Sequence, residues 1–345
     1  MEKLSDKQLK ENPEILLKGF KRSKDFLVAI DTDGCITDNM NGKQMLIFHP
    51  HFMEFYDLWE IETYFREVAE YVNLFSVDRG CNRFAAIELT LKHLYGREDV
   101  RKLLENKNVE LPQKKLLDDF ISFAKDNNLG LGNPALEKYI DSNPREYMAH
   151  KLLGWSEAVN RTFPYISAKI PPFEGVKEIL KSMHRHADII VVSKTPYDDL
   201  VNYWENQDIA EYVSVIAGQE MGSKSHHIKI AKEAGGYEDN NVLMLGDGNG
   251  DLGAVKKNNG LFYPINPGRE QGDWDNLPDA FKRFVEGEFA GDFENRLLKR
   301  FENSLLTTPP WEKKDYDHIK SYSEKQDIRI GLYKRFYPEG RLRIL

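Results

Sequence analysis

Phe26-Leu27-Val28-Ala29-Ile30-Asp31-Thr32-Asp33-Gly34 decides the reading of this chain, because an apolar run feeds directly into two aspartates and a glycine. A continuous apolar run bounded by turn residues is the pattern of a strand buried on both faces. Residues i and i+2 of a strand project to one side. Asp31 and Asp33 are therefore expected to point together into the crevice beyond the strand's C-terminal end, where open α/β sheets bind ligands. At ~4 Å and an effective dielectric of ~20, two such charges repel by about 4 kcal/mol. A cation, a shared proton or a wider spacing must offset that cost, and a divalent magnesium-type ion is the hard, oxygen-seeking partner the pair invites. The plain alternative is a solvated Asp-x-Asp-Gly turn closing a strand, for which Asp and Gly are well suited.

Further segments deliver polar groups in the same manner. Ala187-Asp188-Ile189-Ile190-Val191-Val192 reads as a second buried strand ending on Ser193, and Asn241-Val242-Leu243-Met244-Leu245 as a third ending on Gly246-Asp247-Gly248-Asn249-Gly250-Asp251. Asp251 is expected to open a helix over 252–259 that stops at Gly260. Between these strands, Gly222-Ser223-Lys224-Ser225 precedes a helical stretch over 226–234. Carboxylates, a hydroxyl and an ammonium should converge at one edge of a parallel sheet.

These stations, in this order, resemble the haloacid dehalogenase (HAD) superfamily of phosphotransferases and phosphohydrolases, over roughly residues 22–38 and 170–268. The resemblance implies a doubly wound, mostly parallel α/β core with an inserted all-helical cap domain. It implies Asp31 as the nucleophile that forms an aspartyl-phosphate, Asp33 as general acid and base, Ser193 on the phosphoryl oxygens and Lys224 offsetting charge. It also implies a Mg2+ ion held by Asp247, by the Asp31 side chain and by the Asp33 main-chain carbonyl, with Asp251 as a further carboxylate. Asp33 favours phosphoryl transfer over dehalogenation, since a halide leaves without needing a proton. The sequence departs from the family's pattern at Cys35, at Ser225 after the lysine and at Gly250 in the fourth motif. Lys194 and Lys229 remain rivals of Lys224.

The chemistry explains these residue types independently. A carboxylate attacks phosphorus without prior deprotonation and splits one hard displacement into two easier ones. The alcohol leaving group needs a proton, which Asp33 can donate and later recover from water. Charge on the transferring oxygens can be met by the metal, Lys224, Ser193 and backbone amides near Thr32 and Lys194. The expectation is a Mg-dependent phosphohydrolase of a small phosphorylated metabolite. A phosphotransferase or mutase with the same intermediate, and a noncatalytic phospholigand-binding protein, are the alternatives.

The remaining chain supplies the surroundings. Its 345 residues allow a main domain and a sizeable insertion. The expected division is a core over 1–39 and 169–310, a helical cap over 40–168, and a C-terminal tail over 311–345. Within the insert, Ile61, Tyr64, Phe65, Val68 and Val72 recur at helical spacing, as do Phe84, Ile87, Leu91 and Leu94, and Leu116, Leu117, Phe120 and Ile121. Pro134 and Pro144, after Asn133 and Asn143, read as first-turn prolines behind capping residues. Arg79 and Arg83, in a crowded polar segment of the insert, are the candidates for substrate choice. The alternation of Ile328-Arg329-Ile330-Gly331-Leu332 and Arg341-Leu342-Arg343-Ile344 suggests a terminal hairpin.

Forty-eight Lys and Arg against 56 Asp and Glu give a net charge of −8, which argues against a nonspecific nucleic-acid surface. Two cysteines, Cys35 and Cys81, support neither a disulfide framework nor a cysteine-rich zinc site. With no run of about 18 apolar residues and no apolar leader core, a cytoplasmic protein without a membrane partner is expected. His49, His51, His184, His186, His226 and His227 read as ordinary surface histidines.

Overall fold

The computed structural model describes residues 3–107, 109–167, 169–325 and 331. The terminal hairpin expected over 328–344 lies outside the described residues, Gly331 apart. The chain divides into two compact units, one of residues 1–40 and 170–305 and the other of residues 41–169 and 306–345.

The first unit is built on five strands: β1 (Phe26–Ile30), β2 (Ala187–Val192), β3 (Val215–Ala217), β4 (Val242–Gly246) and β5 (Leu261–Pro264). All pairings are parallel and the order is β3-β2-β1-β4-β5. Parallel neighbours need crossovers, and the helices Val176–Met183, Tyr197–Asn206, Lys224–Gly235 and Asn249–Lys256 lie between successive strands. Right-handed crossovers running outward in opposite directions from β1 place their helices on opposite faces, which makes the sheet doubly wound. Apart from Phe26, every residue of the five strands is buried, and this accounts for the uninterrupted apolar runs. Strand order reverses between β1 and β4. Their C-terminal ends therefore border the crevice in which such sheets place a ligand.

Capping fixes two of the crossover helices. Ser223 accepts the His226 N–H at 3.2 Å, so the helix starts at Lys224 rather than at His226. The helix after β4 starts at Asn249 and ends at Lys256, earlier at both ends than the sequence reading, because Asp251 sits in its first turn and reaches back to the loop.

The second unit is helical, with His49–Tyr56, Glu62–Glu70, Arg83–Gly96, Glu98–Lys107, Lys114–Asp126, Asn133–Ser142 and Tyr147–Ser167. The helical-spacing residues named above are buried except Tyr64 and Ile121, and the buried ones other than Val72 share one apolar core with Phe52 and Trp155. Pro134 lies in the first turn of its helix, but the cap is Gly132, and Asn133 instead accepts a hydrogen bond from Ser156 Oγ at 2.6 Å. Pro144 is not a first-turn proline. The Glu146 N–H bonds the Asn143 carbonyl at 2.9 Å, placing Pro144 at the second position of a tight turn that precedes the next helix. Two histidines also depart from the surface reading, since His49 and His227 are buried.

Residues 306–325 belong to this unit. The Leu306 N–H bonds the Phe75 carbonyl at 2.7 Å, and further along Glu67 is met by Arg97 Nη1 at 2.8 Å, His318 Nδ1 at 2.9 Å and Ser321 Oγ at 2.7 Å. The Arg97 guanidinium lies 5.0, 4.9 and 5.6 Å from the ring centres of Tyr64, Trp311 and Tyr316. Burial works to raise the Glu67 carboxyl, but hydrogen bonds from His318, Arg97, Tyr316 and Ser321 outweigh it and bring the group down to about 2.

A lowered folded-state value contributes stability above the ordinary carboxyl range, and that stability is lost as pH falls through the folded value. Glu67→Gln should therefore destabilise the chain by about 3 kcal/mol at pH 7. The gap from wild type should narrow as pH falls from 4.5 toward about 2, a comparison that urea melts at several pH values will make.

Candidate active site

Register puts the polar residues level. Ile30 lies opposite Val191 on one side and Leu245 on the other, so Asp31, Ser193 and Asp247 all emerge one or two residues beyond the same line. The Asp31 N–H still bonds the Leu245 carbonyl at 3.1 Å, which ties the residue to the sheet after the strand proper has ended. Beyond it the chain turns at Gly34, whose φ of 75° lies in the left-handed region that suits glycine. At the end of β4, Gly246 has a different reason: a Cβ there would collide with the Asp251 side chain.

Asp31, Asp247 and Asp251 each bring a carboxylate oxygen to within 4.8 Å of the others. Lys224 enters from the first turn of its helix, with Nζ 2.5 Å from Asp31 Oδ2 and 2.5 Å from Asp251 Oδ1. The other Asp251 oxygen accepts the N–H groups of Asp247 and Gly248 at 3.2 and 3.1 Å. These four residues are only 2–9% exposed. Burial pushes the Asp31 carboxyl up to about 8, against the opposing charge of Lys224 and with the charges of Asp251, Asp247 and Asp33 adding to the rise. Burial would lower Lys224, yet Asp251 and Asp31 hold its ammonium above the ordinary lysine range.

Three carboxylates and one ammonium leave two negative charges when all are ionised. The donor set is entirely oxygen and suits a hard divalent cation of the magnesium type. Asp31, Asp247 and Asp251 are the carboxylates that could hold it. Lys224 and the loop amides already engage both Asp251 oxygens, and Lys224 and the Thr32 N–H engage both Asp31 oxygens.

The Asp33 carboxylate stands outside this group. Its Oδ2 accepts the Thr195 hydroxyl at 2.9 Å and its Oδ1 accepts the Asn39 amide. Ser193 is buried at the end of β2, and its Oγ accepts the Thr195 N–H at 3.2 Å. The Thr32 N–H donates to Asp31 Oδ1 at 2.7 Å, while the Thr32 hydroxyl accepts the indole N–H of Trp204 at 3.0 Å. Lys194 is exposed, with Nζ 3.9 Å from where a Cβ on Gly250 would stand, so it reaches over the first turn of the helix Asn249–Lys256. Lys229 is a surface residue 3.9 Å from Glu233. Lys224 brings its ammonium to the buried carboxylates of Asp31 and Asp251.

Arg79 and Arg83 lie in the helical unit. Arg79 is buried and donates to the Leu74 carbonyl at 2.9 Å. Arg83 donates to Ser156 Oγ at 2.9 Å and Asn160 Oδ1 at 2.7 Å, with its guanidinium 5.1 Å from the Phe48 ring centre. These bonds give both arginines structural work within that unit. Among the described residues no helix is long and apolar enough to cross a membrane.

Thr195, Asn39 and Trp204 were not anticipated. Thr195 carried a faint signal, since it lies two residues beyond Ser193. Trp204 carried none, because its partner Thr32 is 172 residues away in sequence.

No family model and no curated protein matches the chain. Similar solved structures include a haloacid dehalogenase-like family hydrolase from Xanthomonas campestris, at 10% identity over 78% of this chain and 96% of that one, with a TM-score of 0.43. The haloacid dehalogenase-like hydrolase SP0104 from Streptococcus pneumoniae is 11% identical over 73% of this chain and 90% of its own, with a TM-score of 0.36. YfnB from Bacillus subtilis, described as a HAD-hydrolase in a crystal bound to magnesium, is 11% identical over 72% of this chain and 92% of its own, with a TM-score of 0.39. With TM-scores below 0.5, the functional reading rests on the site's own geometry.

Lys224→Met keeps an apolar stem of similar reach and removes the ammonium. Buried carboxylates left without it should take up protons in the folded state, so the stability they contribute is lost as pH rises. Metal-free protein carrying this change should lose about 3 kcal/mol at pH 8 and less at pH 5, as thermal melts at the two pH values will report.

Proposed function

We propose that this chain is a magnesium-dependent phosphohydrolase of the haloacid dehalogenase type, acting on a small phosphorylated metabolite through an aspartyl-phosphate on Asp31. The observation that carries the reading is the meeting of Asp31, Asp247 and Asp251 with Lys224 at the sheet's switch point, with the separate Asp33 carboxylate two residues from the nucleophile. A buried, low-dielectric edge strengthens each charge interaction made with a phosphoryl group there.

Asp31 is the nucleophile. Its attack forms a bond to phosphorus while the ester P–O bond breaks, and Asp33 gives the departing oxygen its proton. Asp33 then takes a proton from the water that attacks the phosphorylated Asp31, and the carboxylate is restored. Ser193 and Lys224 face the phosphoryl oxygens, with the amides near Thr32 and Lys194 as further donors. Asp31, Asp247 and the Asp33 carbonyl would hold magnesium, which when bound would supply positive charge against the phosphoryl oxygens. The oxygen-only donor set of the carboxylate cluster supports a hard cation there.

The test uses p-nitrophenyl phosphate and a panel of sugar phosphates, with and without magnesium, scored for free phosphate and for isomerised product. Wild type should release phosphate only with the metal present. Asp31→Asn should fold and lose more than about 1,000-fold in turnover, and acid-quenched wild type should carry a phosphoryl group that the variant lacks. Asp247→Asn should raise the magnesium requirement by about 100-fold or more, measured by titrating activity against the metal. Full turnover by Asp31→Asn overturns the nucleophile assignment, and isomerisation without phosphate release makes the enzyme a mutase.

A further inference from the structure

We propose that Thr195 and Asn39 are positioning residues that fix the Asp33 carboxylate so that Oδ2, not Oδ1, is the oxygen that passes a proton to the leaving group. The inference rests on the acid and base role of Asp33 given above, and goes beyond it by assigning the reacting atom and the side chains that aim it.

The Asn39 amide has its orientation set by its own neighbour. Its Oδ1 accepts the Gly34 N–H at 3.1 Å, which turns Nδ2 toward Asp33 Oδ1. An amide NH2 group only donates, so this bond favours Oδ1 as the ionised, accepting oxygen and leaves the proton to Oδ2. Oδ2 faces a different kind of partner, because the Thr195 hydroxyl at 2.9 Å both donates and accepts. It donates to Oδ2 when the carboxylate is ionised and can rotate to accept when Oδ2 carries hydrogen. The carboxyl group therefore keeps its direction in both halves of the reaction.

Both partners are held independently of Asp33. Thr195 donates its N–H to Ser193 Oγ at 3.2 Å and accepts the Gln219 N–H on its carbonyl at 3.0 Å, so its backbone is tied to the loops that follow β2 and β3. Asn39 is buried. Thr195 thus links the acid on the loop after β1 to the phosphoryl-facing Ser193 on the loop after β2. Proton bookkeeping closes around one atom. In the first step the ester oxygen keeps the electrons of the broken P–O bond and takes the proton from Oδ2. In the second, water forms its bond to phosphorus, the Asp31 O–P bond breaks, and the water's proton arrives on Oδ2.

Leaving-group dependence separates this role from a merely structural one. Phenyl phosphate and p-nitrophenyl phosphate differ little in shape, but phenolate needs a proton on departure far more than p-nitrophenolate does. Thr195→Val should lower kcat/KM for phenyl phosphate by about 30-fold or more and for p-nitrophenyl phosphate by only about 3-fold. Thr195→Ser, which keeps the hydroxyl, should bring both esters back to within about 3-fold of wild type. Thr195→Ala removes the hydroxyl with less bulk and takes the place of the valine variant if that one fails to fold. An equal fall on both esters, or no fall on either, overturns the positioning role while leaving the hydrolase reading intact. Wild type that hydrolyses neither ester with magnesium overturns the hydrolase reading and this inference with it.

Discussion

Three carboxylates crowd one buried ammonium at the end of a parallel sheet, and most of the local architecture of the first unit serves that crowding. Alone, each of these charges would be costly to withdraw from water. Asp251 settles its own cost by accepting two backbone N–H groups and the Lys224 ammonium, which makes it the organiser of the loop after β4. Gly246 is small so that Asp251 can lie against it. Lys224 reaches Asp31 and Asp251 together because its helix begins one residue after Ser223. Asp31 and Asp247 bring their carboxylates to the same point from the strand ends flanking the switch point. An excess of negative charge at a fixed point is how a protein selects a cation by charge and donor type.

Rigidity of the loop after β1 is the companion constraint. A nucleophile that must meet phosphorus in line loses rate if its loop drifts, since reactive geometry is held to a fraction of an ångström. Two buried tryptophans from separate helices grip this loop: Trp204 through the Thr32 hydroxyl, and Trp274 through the Cys35 carbonyl at 2.7 Å. The Thr37 hydroxyl adds a bond to the Pro171 carbonyl at 3.2 Å. Large indoles suit this task because they fill the core while still offering one N–H to a polar atom that burial would otherwise leave unpaired. The loop thus carries its polar groups into the protein without leaving them unsatisfied.

Legibility in the sequence followed the range of the interactions. The strands were readable because burial on both faces writes an uninterrupted apolar run, and the acidic stations were readable because each sits directly after such a run. Spacing along a strand could place Asp31 and Asp33 together, but it could not foresee that their carboxylates part company, one joining Asp247 and Asp251 and the other turning to Thr195 and Asn39. That parting depends on the turn at Gly34, where the strand rule no longer applies. Trp204 and Trp274 lie in helices far from this loop in sequence, and nothing local marked their N–H groups for the loop after β1. Pro144 misled for a related reason: a proline suits the second position of a turn as well as a helix's first turn, and only the Glu146 to Asn143 bond distinguishes them.

The C-terminal stretch shows the same limit at its longest range. Glu67 finds His318 and Ser321 more than 250 residues further along, and Arg97 finds Trp311 and Tyr316 beside its aromatic neighbour Tyr64. The chain leaves the helical unit near residue 169, builds the rest of the sheet unit and comes back at residue 306. A buried Glu–Arg pair adds little stability over an apolar pair, but leaving either charge without its remaining partners is severe. The helical unit therefore cannot satisfy its own interior until the last part of the chain arrives. Contacts of such sequence separation form late, because closing a long loop costs entropy before it returns any contact energy. The helical unit is thus completed only by the last part of the chain, and the residue that makes it so is a glutamate whose sequence neighbours, Arg66 and Val68, gave no sign of it.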